Sequence, residues 1–89
     1  MLKTLSPDLQ QVFDNYLKTA NKLVPTPEDD KKFYRFVILC HQKGVTIESL
    51  EIYEVLEEKG FDEAMQDHLV ALLEGGRELL KEYDQVLKG

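Results

Sequence analysis

Apolar residues recur along most of this chain at the three-and-four spacing of one helical face, and polar signals mark where each face begins and ends. Leu9, Val12, Phe13, Tyr16, Leu17, Ala20 and Leu23 form the first stripe. Ser6 precedes it as an N-cap, Pro7 fits the first helical position, and Asp8 suits the positive end of the helix dipole. Val24-Pro25 is expected to stop this helix, because the residue before a proline is pushed out of the α region. Thr26-Pro27-Glu28-Asp29 repeats the start signal. A second helix is expected from Pro27 to about Lys43, with Gly44 as its left-handed cap.

That second helix contains the most apolar window of the chain, Phe33 to Cys40, where seven of eight residues are apolar or aromatic. Phe33, Phe36, Val37 and Cys40 make one stripe, and Tyr34, Ile38 and Leu39 widen it. A helix apolar over most of its circumference is usually enclosed by others. The expected fold is therefore all-α: one domain over residues 1–89, a compact four- or five-helix bundle around a central buried helix at about residues 27–43.

A third helix is expected from Thr46 to Lys59-Gly60, with Ile47, Leu50, Ile52, Tyr53, Val55 and Leu56 inward and a hydrophobic staple between Val45 and Leu50. Asp62 caps a fourth, which continues through Met65, Leu69, Val70, Leu72 and Leu73 to Gly75-Gly76. Apolar positions stay in phase across the two glycines, which suits one long helix. Two interior glycines cost about 2 kcal/mol relative to alanine, however. A turn or sharp kink at Gly75-Gly76, folding the last segment back on the first helix, is the preferred expectation. A single helix would instead leave Leu79, Leu80, Tyr83, Val86 and Leu87 for a second copy of the chain. Those five residues are the candidate oligomer interface of a homodimer.

Charge changes this picture in one region. The net charge is −6, but Glu48 to Asp67 holds eight acids and only Lys59 as a base, so that segment carries −7 and the rest +1. Glu48, Glu51, Glu54, Glu58 and Asp62 define a candidate acidic face for a basic protein partner. Solubility alone is the plainer reading of such a face. Charge of this sign repels nucleic acid and anionic membranes.

Leu39, Cys40, Gly44, Val45, Leu50 and Tyr53 resemble the spacing of the helix-turn-helix motif over residues 36–56. The resemblance implies a DNA-binding regulator as the alternative function. Lys43 departs from it, where an apolar residue is usual. The acids of the would-be recognition helix oppose it too, since affinity for DNA comes largely from phosphate contacts.

Catalytic, metal and cofactor chemistry finds little material. Cys40, His41 and His68 are the soft ligands. Cys40 and His41 are adjacent, so a helix points them about 100° apart. No Cys-x-x-Cys pattern or EF-hand spacing is present. Ser6 and Ser49 read as a cap and a first-turn residue, and Gly75-Gly76 lacks the Lys-Ser/Thr of a phosphate loop. Tyr16, Tyr34, Tyr53 and Tyr83 read as core-edge residues, or as a groove for a partner helix. The expectation is a non-enzyme with no catalytic residue, metal or cofactor. The single cysteine, the absence of an apolar leader at the N-terminus and the lack of a membrane-length apolar run point to the cytoplasm.

Overall fold

In the computed structural model, the backbone is described from Thr4 to Lys88 and side chains from Thr4 to Gly76. Four helices are present among the described residues: α1 (Pro7–Thr19), α2 (Pro27–Gln42), α3 (Ser49–Glu58) and α4 (Glu63–Lys88). The fold is all-α, as expected.

Each helix boundary has a local cause. Pro7 and Pro27 open α1 and α2. The Thr26 hydroxyl accepts the Asp29 N–H at 3.2 Å, whereas Ser6 holds the N-cap position without a side-chain bond. Helices α2 and α3 end in the same way. Gly44 N–H donates to the His41 carbonyl and Val45 N–H to that of Cys40; Gly60 N–H donates to Glu57 and Phe61 N–H to Leu56. These are Schellman motifs, and the glycine φ values of 73° and 81° supply the left-handed residue each requires. Lys43-Gly44-Val45 and Lys59-Gly60-Phe61 are thus one device used twice. In the second, the apolar residue after the glycine, Phe61, is buried in the core beside Leu56.

Helix α1 stops earlier than expected, at Thr19 rather than at Val24-Pro25. Asn21 is the reason. Its side-chain oxygen accepts the N–H groups of Leu23 and Val24 at 2.8 and 3.0 Å, offering the backbone an alternative to the helix. The Asp29 carboxylate accepts the Asn21 N–H, and the Asp62 N–H donates to the Lys22 carbonyl. Leu23 and Val24 therefore lie in an exposed loop, 70% and 58% accessible, and not on a packed stripe.

Helix α3 also differs. It begins at Ser49, not Thr46: Val45–Glu48 is non-helical, Glu48 is extended, and Ile47 is buried in the core. Leu50 then points outward at 68% exposure, so the Val45–Leu50 staple does not form.

The largest correction concerns the glycine pair. Helix α4 runs through Gly75 and Gly76 as one element of 26 residues, with no turn and no fifth helix. At 1.5 Å per residue it is about 39 Å long, close to the molecule's longest extent of 42 Å. Gly76 is buried, and a Cβ there would lie 3.4 Å from the Tyr34 ring of α2, so the site accepts a close neighbour. A Cβ at Gly75 would meet nothing within 4 Å.

The core joins all four helices. Leu9, Phe13, Tyr16, Leu17 and Ala20 of α1 and its cap are buried, and α1 packs on α2. Phe13 stacks on Phe36 at 4.6 Å, and Tyr16 tilts against Phe33 at 5.5 Å. The close helix pairs are α1–α2, α2–α4 and α3–α4. Helix α2 is thus not the sole centre. It buries Phe33, Phe36, Val37 and Cys40, but Ile38 stays 38% exposed, and α4 touches both α2 and α3.

Gly75→Ala should raise the unfolding free energy by about 0.5–1 kcal/mol, because alanine is the better helix former and the space is open. Gly60→Ala should lower it by about 1 kcal/mol, because the left-handed backbone there penalises a Cβ. Urea unfolding checks both; a destabilised Gly75→Ala variant would contradict an uninterrupted helix.

Candidate functional site

The candidate acidic residues divide between two jobs. Glu51, Glu54 and Glu58 share one side of α3, spaced three and four residues apart, and Glu54 and Glu58 are exposed. Glu48 stands at the N-cap position of α3, with no side-chain cap bond. Asp62 belongs to the helix start that follows. Its carboxylate accepts the Ala64 N–H at 3.2 Å and its carbonyl accepts the Gln66 N–H. Buried Gln66 completes that corner by donating from its side chain to the Phe61 carbonyl at 2.9 Å. Asp62 is therefore a structural cap at one end of the acidic face.

The structure adds one residue that the apolar pattern placed inside: Leu50. It is exposed on α3, one turn before Glu54 and two before Glu57. The acidic side thus has a large apolar side chain in its midst. The opposite edge of α3 is tied to α4. Ser49 Oγ donates to the Glu74 carboxylate at 3.2 Å and the Tyr53 hydroxyl to Asp67 at 2.8 Å. The bond to Asp67 pushes the Tyr53 hydroxyl above its ordinary pKa. Between these helices lies a shallow depression of about 310 Å³, lined by Tyr53, Glu57, Glu63, Gln66 and Asp67.

No protein-family model, curated protein or solved structure matches this chain.

The soft ligands are kept apart. Cys40 is 1% exposed among apolar side chains, while its neighbour His41 is exposed on α2. Burial pushes the Cys40 thiol up to about 11, so at neutral pH it is a protonated packing group and not a thiolate. His68 of α4 meets Asp30 of α2 at 2.9 Å, a polar clasp between two helices that no sequence spacing signals. Among the described residues, no group of three or more His, Cys, Asp or Glu side chains is placed to hold a metal ion. No helix among them is long and apolar enough to cross a membrane.

Tyr16 is the unusual tyrosine. Its ring is 2% exposed and its buried hydroxyl has no hydrogen-bond partner. Burial, then the charges of Asp29 and Asp30, push its pKa upward. An unpaired buried hydroxyl costs about 1–3 kcal/mol, and nothing in the candidate face uses it. Tyr34 lies against Gly76, Tyr53 edges α3 and α4, and Tyr83 lies outside the described side chains. The side chains of Leu79, Leu80, Val86 and Leu87 do too.

Cys40 makes stability depend on pH in a definite direction. Its folded-state pKa of about 11 lies above the ordinary 9.0, so folding favours the protonated thiol. That contribution is whole below pH 9 and is lost as pH rises from about 9 to about 11, by roughly 2–3 kcal/mol in all. The difference in urea stability between the wild type and Cys40→Ala should therefore shrink over this range. Parallel pH profiles for the two proteins would contradict a buried, protonated thiol.

Proposed function

We propose that this protein is a small non-catalytic interaction or regulatory module whose α3 face docks on a basic surface of a protein partner. The carrying observation is exposed Leu50 set among carboxylates that local electrostatics disfavour. Glu54 and Glu58 repel each other one turn apart, at about 0.2–0.5 kcal/mol. Glu57 and Glu58 also sit at the negative end of the α3 dipole, where cations are preferred by about 0.3–1 kcal/mol, and the last turn of α3 contains no base. Solubility needs acids somewhere on the surface, but not at the end of a helix that they weaken. An apolar side chain ringed by like charges suits a partner that is amphipathic and basic, with Leu50 entering a pocket and the carboxylates forming the polar rim.

The helix-turn-helix reading over residues 36–56 has less support. Helices α2 and α3 are not among the close pairs, and six residues, Lys43–Glu48, separate them. The motif joins its helices through a turn of three or four residues.

Uninterrupted α4 supports the second interaction considered from the sequence, pairing between copies. Its last turns carry the apolar sequence positions Leu79, Leu80, Tyr83, Val86 and Leu87 in phase with the buried face of Met65, Leu69 and Gly76. If copies pair there, Leu79→Asp with Tyr83→Asp reduces the mass measured by light scattering to that of one chain; an unchanged mass removes this pairing.

Glu58→Lys should raise the unfolding free energy by about 0.5–1.5 kcal/mol, through dipole and pairwise repulsion alone. Glu54→Lys with Glu58→Lys should abolish capture of a basic partner from an extract of the source cell. Gain in stability with loss of binding is the combination expected of a surface kept for a partner. Retention of the same partner by the double variant would sink the proposal.

A further inference from the structure

A second surface complements the first. On the outer side of α2, Tyr34, Ile38 and Leu39, with Leu72 of α4, form the apolar floor of a shallow groove of about 440 Å³. Lys31 and Arg35, one turn apart on α2 and both exposed, make its charged lip. Asp30 also borders it, but that carboxylate is engaged by His68. The groove is apolar within and positive at the edge. The α3 face is the converse, an exposed Leu50 between carboxylates.

We propose that the groove receives the α3 face of a second copy of this chain, Leu50 seating beside Ile38 and Leu72, and Glu54 and Glu58 pairing with Lys31 and Arg35. This rests on the reading of α3 as a docking face and names its basic partner surface as the chain's own α2. Three features carry the assignment. The charges are opposite, and each surface contains an incompletely buried large apolar residue, Ile38 at 38% and Leu50 at 68%. Paired charges one turn apart on α2 (Lys31, Arg35) face paired charges one turn apart on α3 (Glu54, Glu58), so both rows repeat at the same rise of about 6 Å. The groove and the face lie on different helices of one molecule, so the contact is between unlike surfaces. It forms a ring or an open chain of copies unless two such contacts close on a dimer axis.

A charge-swap experiment tests this with the full chain, by sedimentation velocity over a concentration series at low salt. Wild type should self-associate, and added salt should weaken it, because the lips are exposed charges. Lys31→Glu with Arg35→Glu should weaken self-association at least about tenfold, as should Glu54→Lys with Glu58→Lys, since each variant then opposes like charges. Mixed together, the two variants should associate again, because each face then meets a groove of opposite sign. A folding defect cannot produce that recovery. Monomeric wild type at every concentration overturns the proposal, and so does association that both reversals leave unchanged or mixing that restores nothing. If wild type is monomeric while the α3 reversal still abolishes capture of a basic partner, the docking role of α3 stands and only the self-contact falls.

Discussion

Everything in this molecule hangs on the inward face of α4. Met65, Leu69 and Leu73 are fully buried there, and α4 packs closely on both α2 and α3. Burying a side chain of this size contributes about 1.5–3 kcal/mol, so these three residues alone match the whole net stability expected of a chain this short, about 4–13 kcal/mol. Helices α2 and α3 are not a close pair, so α3 is held by α4, with Ile52 and Leu56 as its inward residues. Helix α1 is held through α2, by the stacked Phe13–Phe36 and tilted Tyr16–Phe33 pairs. The packing sequence α1–α2–α4–α3 follows from that face together with the two ring pairs. Leu50, Glu54 and Glu58 are the exposed residues on the side of α3 away from its buried Ile52 and Leu56.

The elements that local chemistry decides are the ones that could be read from sequence. Ser6-Pro7 and Thr26-Pro27 start helices, and Gly44 and Gly60 end them, because a proline at the first turn and a left-handed glycine leave few alternatives. Errors arose where distant residues intervene. Asn21 ends α1 four residues early, and it is held by Asp29, eight positions away. Thr46-Ile47 has the pattern of a helix start, but Ile47 is buried from a non-helical segment and α3 begins only at Ser49. When propensity alone is weighed, Gly75-Gly76 favours a turn over the interior of a helix. Burial of Met65, Leu69, Leu73 and Gly76, and the approach of Tyr34 to Gly76, accompany the helix that the structure shows.

The candidate site was partly legible for the same reason. Charge is local, so the concentration of acids between Glu48 and Asp67 is visible in sequence. What the acids surround is not. Leu50 belongs to a run of apolar residues in the sequence, but it stands about 200° around α3 from buried Ile52, on the solvent side. Asp62, grouped with the acidic face, acts on the backbone of α4. The clasp between His68 and Asp30, and the apolar groove edged by Lys31 and Arg35, join residues far apart in the chain and depend on the packing of α2 against α4. Cys40 is adjacent to His41 in the chain, but it is buried while His41 is exposed.

Continuity of α4 is therefore the claim on which the arrangement depends, and backbone chemical shifts read it residue by residue. Cα and carbonyl shifts from Leu72 to Leu80 should be helical without a break, with slow amide exchange at Gly76, whose N–H lies in the buried part of the helix. Coil-like shifts and rapid exchange at both Gly75 and Gly76, between two separately helical stretches, would contradict a single α4.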